Sequence, residues 1–213
     1  AKKPLVFTHR VWRLIAAEAG LFLLVATLCF FVSAQRAVGF IGLFSIIVWL
    51  WVGLANGALQ PLEKAIGDGY VKKAKARMKA QPELTVIGIT GSYGKTSVKT
   101  FLHALLSVKY NTLMTPGSYN TTMGVVRTIR EMLLPSHEIF LVEMGAKQVG
   151  DIQEICDLVH PQYGIISAIG EQHLETFLTL DNIISTKFEL ADSLPQNGCA
   201  FLNTDNPYIR ERE

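Results

Sequence analysis

The sequence predicts an α/β fold: an N-terminal transmembrane helical hairpin, then a mostly parallel β-sheet domain with helices on both faces. Three observations predict it. Two apolar runs of about 20 residues each fill most of the first sixty positions, and each is long enough as a helix to cross a hydrocarbon core. From position 83 onward, short β-rich apolar runs alternate with runs at helical spacing, which is the pattern of a parallel sheet with crossover helices. Each polar cluster in that second part directly follows a β-rich run, at the strand ends where open α/β sheets bind ligands.

The apolar share, 49%, is concentrated in the N-terminal part, and only 18% of the residues are charged. A net charge of +2, with no basic run interleaved with aromatics, excludes a nucleic-acid face. Cys29, Cys156 and Cys199 lie far apart at no metal or redox spacing, which suits reduced thiols. The chain divides into a transmembrane hairpin (1–60), a basic juxtamembrane linker (61–82) and the α/β domain (83–213).

The first span is "LIAAEAGLFLLVATLCFFVS" (14–33) and the second "VGFIGLFSIIVWLWVGLANGAL" (38–59), joined by a link at 34–37. Lys2, Lys3, Arg10 and Arg13 precede the first span, and Lys64, Lys72, Lys73, Lys75, Arg77 and Lys79 follow the second. Only Arg36 lies in the link, so the positive-inside rule places both termini and the α/β domain in the cytoplasm, with the hairpin in the cell membrane. Glu18 reads either as a carboxylate snorkelling to the nearby interface or as a functional intramembrane group. Gly53 and Gly57 form a GxxxG pair, and Trp49 and Trp51 read as packing residues. Positions 61–81 read as a surface helix against anionic membrane lipid or as a solvated linker.

The α/β domain opens with the strand "LTVIGI" (84–89). The helix "SVKTFLHALLSV" (97–108) follows, with Val98, Phe101, Leu102, Leu105 and Leu106 at helical spacing. Then come the strand "NTLMT" (111–115), the helix "GVVRTIREML" (124–133), the strand "IFLVEM" (139–144) and the helix "DIQEICDLV" (151–159). The strand "YGIISAI" (163–169), the helix "LDNIISTKFELADSL" (180–194) and the strand "CAFLN" (199–203) complete the alternation.

The string "TGSYGKTS" (Thr90, Gly91, Ser92, Tyr93, Gly94, Lys95, Thr96, Ser97) joins a strand to a helix. Backbone N–H groups there cradle phosphate, Lys95 reaches the terminal phosphates and the Thr96 hydroxyl ligates Mg²⁺. The strict motif wants a glycine where Ile89 stands, so the shorter TGxxGKT form carries the reading against a chance turn. Glu143, directly after its strand, is placed to bind Mg²⁺ beside the phosphates, or else is a solvated strand-end carboxylate. His173, in "GEQH" (170–173), is a second-metal ligand or a surface loop histidine, whereas His9, His103, His137 and His160 read as structural or surface. "TPGSYNTT" (115–122) and Asn203 and Asp205 follow the second and fifth strands. Lys187 fills a gap in the stripe of Ile183, Ile184, Leu190 and Leu194, so it points inward, where burial lowers its pKa and makes it a nucleophile toward CO2. The alternative is a lysine whose stem covers apolar surface while its head reaches water.

Together these strings resemble the Mur ligase family, in its D-alanyl-D-alanine-adding branch, over 84–206, the family's ATP-binding central domain. "ITGSYGKTS" resembles its phosphate loop, "SYNTTMGV" its Asn-rich substrate loop, "VEMGAKQVGDI" its metal-binding Glu segment and "IGEQHLETF" its second-metal His loop. "STKFELADSL" resembles the segment with a carbamylated lysine, and "LNTDNP" a string late in that domain. The resemblance implies ATP and Mg²⁺ at two sites, with Thr96, Glu143, His173 and a carbamylated Lys187 as metal ligands, and Lys95, Lys187 and His173 as catalytic residues. It implies Asn120, Thr121 and Thr122 as contacts to a UDP-N-acetylmuramoyl-peptide, whose carboxylate is phosphorylated and then attacked by D-alanyl-D-alanine. Rivals are a related ligase with another acceptor (poly-glutamate or a lipid-linked precursor), a membrane-anchored ATPase that performs no ligation, and a silent anchor. Two departures stand out: a hairpin replaces the family's UDP-sugar-binding domain, and the acceptor-binding C-terminal domain is missing. With a start at Ala1 and an end at "NPYIRERE", this predicts a truncated chain that binds Mg-ATP weakly and forms no amide bond alone.

Overall fold

The computed structural model describes residues 7–171 and 174–212. The chain forms two compact units, Ala1–Gly69 and Tyr70–Glu213. Lys2 and Lys3, counted above toward orientation, lie outside the described residues.

In the first unit α1 (His9–Val32) starts at Thr8, whose hydroxyl accepts from the Val11 N–H at 3.4 Å. Helix α2 (Ala34–Lys79) follows after the single extended residue Ser33. The link expected at 34–37 is therefore the first turn of α2, and the reversal is made by one residue. Arg13 meets Glu63 at 2.8 Å, and the Phe22 and Phe40 rings stack at 5.7 Å, so the two helices run antiparallel. Among the described residues one helix, α1, is long and apolar enough to cross a membrane, and none of its apolar window is buried. The second expected span, 38–59, falls in the first half of α2, where several side chains lie outside the described set.

Helix α2 does not end with that apolar run. It runs for 46 residues in all, through Pro61, which costs it one backbone donor, and stops at Lys79. The linker expected at 61–82 is thus mostly helix. The reason is visible in the second unit, where Tyr70, Val71, Ala74 and Met78 fall on one helical face and pack against the core. Arg77 donates to the carbonyls of Ile129 and Arg130, and the Arg130 guanidinium lies 3.8 Å over the Tyr70 ring.

The second unit holds β1 (Thr85–Thr90), α3 (Lys95–Leu106), β2 (Thr112–Met114), α4 (Thr122–Glu131), β3 (Ile139–Glu143) and α5 (Asp151–Val159). It continues with β4 (Tyr163–Ile166), α6 (Leu174–Phe177), α7 (Leu180–Asp192), β5 (Cys199–Leu202) and α8 (Pro207–Arg210). The five strands pair in parallel in the order β2-β3-β1-β4-β5. Alternation along the strands sorts the core. Val86, Phe140 and Val142 join Val126 of α4, Ile155 of α5 and Leu190 of α7 on one face. Ile89, Ile139 and Leu141 meet Val98, Leu102 and Leu106 of α3 on the other. Gly88 and Gly164 pair in register on the two central strands. A Cβ at Gly88 would come within 2.6 Å of Leu190 Cδ1, so the bare backbone there lets α7 settle onto the sheet. The result brings the ends of β1, β2, β3 and β4, with the loops that follow them, to one edge.

Candidate active site

The strand–loop–helix at the end of β1 leaves backbone donors free. Gly94, at φ +79°, begins α3, and no side chain caps that helix. In contrast α4, α7 and α8 are capped by Thr121, Thr179 and Asn206. The first-turn N–H groups of α3 are thus available to an anion, with the helix dipole behind them. Gly91 is required by space, because a Cβ there would sit 2.3 Å from Ser167 Oγ and 2.9 Å from the Ala168 carbonyl oxygen. The loop is held by the segment that follows β4: Ser92 N donates to the Ala168 carbonyl at 2.6 Å, and Ser92 Oγ donates to the Gly170 carbonyl at 2.9 Å. Thr90 Oγ1 donates to the Met144 carbonyl at 3.0 Å, while Tyr93 and Ser97 are exposed at the loop surface. Lys95 Nζ folds back on the loop, donating to the carbonyls of Gly91 (2.6 Å) and Ser92 (3.1 Å). Burial pulls the Lys95 pKa below the usual lysine value, and the Glu143 carboxylate opposes that.

Glu143 is the hub of the strand ends. It is 1% exposed, which rules out the solvated-carboxylate reading. Its Oε2 accepts from Thr96 Oγ1 at 3.0 Å and from Lys99 Nζ at 2.8 Å, and its Oε1 accepts from Asn120 Nδ2 at 3.1 Å. Its backbone N–H donates to Thr115 Oγ1 at 3.1 Å. One carboxylate thereby gathers α3 and the loop after β2. Gly145 makes room for this, since a Cβ there would lie 2.8 Å from Asn120 Cγ, and its N–H donates to the Asn120 carbonyl at 2.7 Å. Thr96 and Glu143 supply adjoining hard oxygen donors, the type that suits Mg²⁺ bound by few protein ligands plus substrate phosphates. Among the described residues no group of three or more His, Cys, Asp or Glu is placed to hold a metal ion.

A cleft of about 400 Å³ lies alongside, lined by Ser92, Lys95, Asn120, Thr121, Thr122 and Lys187 among others. Five of the residues expected from the two loops and the inward-facing lysine of α7 thus share one space. Thr121 serves as the α4 cap, and Thr122 Oγ1 donates to Glu154 Oε2 at 2.7 Å. Lys187 is 4% exposed, and its ammonium has no hydrogen-bond partner among the described residues. Burial, and then the Lys95 charge, push its pKa down to about 8, against the pull of Glu189 and Asp151. His173 lies outside the described residues.

Sequence reasoning missed Lys99, one of the largest fully buried side chains among the described residues, and the cleft residues Lys147, Asp151 and Glu154. Lys99 had a signal. It stands three residues before Leu102 and seven before Leu106 in the buried stripe of α3, the same kind of gap that marked Lys187.

Comparison with known proteins gives this arrangement its kinship. Residues 89–213 match the Mur ligase middle domain. The UDP-N-acetylmuramoyl-tripeptide–D-alanyl-D-alanine ligase of Escherichia coli K12 is 37% identical over 131 residues, 62% of this chain and 29% of that enzyme. The ligase of the same name from Bacillus subtilis 168 is 32% identical over 154 residues, 72% of this chain and 31% of that enzyme. The crystal structure of the MurF ligase from Thermotoga maritima, in complex with ADP, superposes with a TM-score of 0.63 at 34% identity, covering 68% of this chain and 34% of that one. The chain therefore spans about a third of the length of the relatives it matches. An uncapped phosphate-type loop, a buried strand-end carboxylate and an Asn-bearing loop, carried on a parallel sheet that matches over 89–213, establish that the chain belongs to the Mur ligase family.

Proposed function

We propose that the chain carries the nucleotide- and carboxylate-handling part of an ATP-dependent amide ligase of peptidoglycan precursor synthesis. The γ-phosphoryl group of ATP passes to the terminal carboxylate of a UDP-N-acetylmuramoyl-tripeptide. The acyl phosphate is then attacked by the amine of D-alanyl-D-alanine, which releases phosphate and leaves an amide. The observation that carries this reading is the Glu143 hub, because Asn120 Nδ2 and Thr96 Oγ1 meet on one carboxylate. A phosphate loop that only hydrolyses ATP has no need to be tied to a polar loop from the neighbouring strand. A ligase must hold two anions, a carboxylate and a triphosphate, in line and within reach.

In this reading the free N–H groups of α3 hold the β- and γ-phosphates, and Lys95 leaves the Gly91 and Ser92 carbonyls to meet the charge that grows on the transferred group. Asn120 and the hydroxyls of Thr121 and Thr122 orient the muramoyl-peptide in the cleft. Thr96 and Glu143 would hold Mg²⁺, which would supply charge neutralisation toward bound phosphate. His173 and a carbamylated Lys187 are proposed ligands of a second cation. The partially neutral amine of Lys187 is suited to attack CO2, forming an N–C bond and releasing one amine proton to water, and the carbamate so formed replaces a cation with an anion. The apolar runs of α1 and α2 are proposed to lie in the cell membrane, with both termini and the α/β domain cytoplasmic. The apolar window of α1, unburied within the protein, supports this, as does the lysine- and arginine-rich stretch after the second run.

The test is whether ADP formation depends on the carboxylate substrate. Purified protein with ATP and Mg²⁺ is expected to form ADP only when UDP-N-acetylmuramoyl-tripeptide is added, whether or not amide product follows. ADP formation at the same rate without the muramoyl-peptide would overturn the ligase reading in favour of a simple ATPase.

A further inference from the structure

Lys99 is an expensive residue to keep where it stands. It is 1% exposed and belongs to the second turn of α3, one turn past Lys95. Its ammonium has two partners, Glu143 Oε2 at 2.8 Å and the Gly117 carbonyl at 2.6 Å. A buried ion pair gains little over an apolar pair of the same volume, so stability alone does not explain it. Its position does: the ammonium occupies the same carboxylate oxygen that Thr96 touches, where the divalent cation is proposed to sit.

We propose that Lys99 is a positioning residue that acts as a resident counter-ion, making divalent-cation binding at Glu143 conditional on nucleotide. With Lys99 and Thr96 on Oε2 and Asn120 on Oε1, the carboxylate is already neutralised and mostly occupied. A cation arriving alone meets a fixed positive charge that cannot swing away without losing Gly117 and remaining buried unpaired. A cation arriving with phosphates brings negative charge of its own, and the balance reverses. The same ammonium ties Gly117 to the hub, so the loop that carries Asn120 keeps its place while no cation is bound. This rests on the reading that Thr96 and Glu143 hold the divalent cation.

The experiment follows Mn²⁺ binding to the full chain by electron paramagnetic resonance, with and without ADP. Wild type is expected to bind Mn²⁺ weakly alone and tightly with ADP. Lys99→Met should bind Mn²⁺ without nucleotide roughly tenfold or more tighter than wild type, and the two should converge when ADP is present. Lys99→Met leaves the Glu143 charge buried without its counter-ion and lowers stability; millimolar Mn²⁺ without nucleotide should raise the Tm of this variant and leave that of wild type unchanged. The double variant Lys99→Met/Glu143→Gln, with no charge to pair, should lose the nucleotide-free Mn²⁺ binding. A Lys99→Met protein whose nucleotide-free Mn²⁺ affinity or Mn²⁺ response of Tm equals that of wild type overturns the proposal, as does a double variant that keeps the tight binding. Wild type that takes up no Mn²⁺ even with ADP removes the metal reading of Glu143 itself, a result distinct from the others.

Discussion

Lys95 and Lys187, on two helices, are held in different electrostatic conditions, and each condition sets an expectation. Lys95 is folded onto its own loop, so Lys95→Ala should leave the fold intact and lower carboxylate-dependent ADP formation by a factor of about 100 or more, on the order of 3 kcal/mol in the barrier. Near-normal turnover in a folded variant would take the loop out of the site. Lys187 is buried without a partner among the described residues, and its pKa falls from 10.5 to about 8. Below pH 8 both folded and unfolded chains carry the proton, and the folded state bears the full burial cost. Between pH 8 and 10.5 only the unfolded chain keeps the proton, so stability from this residue rises with pH across that window. Lys187→Met should therefore raise Tm at neutral pH, by up to about 3 kcal/mol of stability, and flatten that alkaline rise. In the wild type, labelled bicarbonate should give a carbamate NMR signal that grows as pH rises through 8 and is absent from the variant. A signal that persists in the variant, or none in the wild type, would make Lys187 a packing residue only.

Helices α3 and α5 both begin at a glycine with positive φ and no side-chain cap of their own, yet they are finished differently. At α5 the carboxylate of Glu189, from α7, accepts from the Gly150 N–H at 2.7 Å and from the Gln153 N–H at 2.9 Å. That end is closed, and α7 is pinned to α5 close to Lys187 and Asp151. Glu189→Ala should cost about 1–2 kcal/mol, read as a lower Tm or denaturant midpoint. No change would mean that water replaces the cap without loss. The larger elements were legible from the sequence because their apolar spacing is strong: Val98, Leu102 and Leu106 mark α3, and Ile183, Ile184 and Leu190 mark α7. The stripe gap at Lys187 correctly indicated an inward side chain. The four-residue helices α6 and α8 were not legible, since one turn carries no periodic signal. Residues 61–81 read as linker or lipid-facing helix because their apolar residues are sparse; the packing of Tyr70, Val71, Ala74 and Met78 against the core is tertiary and leaves no mark in the local pattern. Asp151 and Glu154 carry no local mark either, and it is the crossover of α5 that brings them to the cleft.

At the scale of the whole molecule, the proposed membrane topology makes a direct prediction. In a background with Cys29, Cys156 and Cys199 replaced, a thiol reagent applied outside intact cells should modify a cysteine placed at Gln35 and miss one placed at Lys79. Labelling at Lys79 would reverse the orientation. The strand order has a consequence of another kind, one that concerns time. Among the described residues β1 pairs with β3 and β4, and β2 pairs only with β3, so neither early strand has a partner there made before Ile139. On a ribosome that delivers the chain from its N-terminus, Thr85–Thr90 and Thr112–Met114 emerge with nothing to pair with. Such non-local pairing folds slowly and leaves apolar strands exposed in the interval. The strand that ends the wait is β3, and its last residue is Glu143. Sheet and site are thus born at the same moment: the residue that completes the first strand pairing is the one that draws Thr96, Lys99 and Asn120 together.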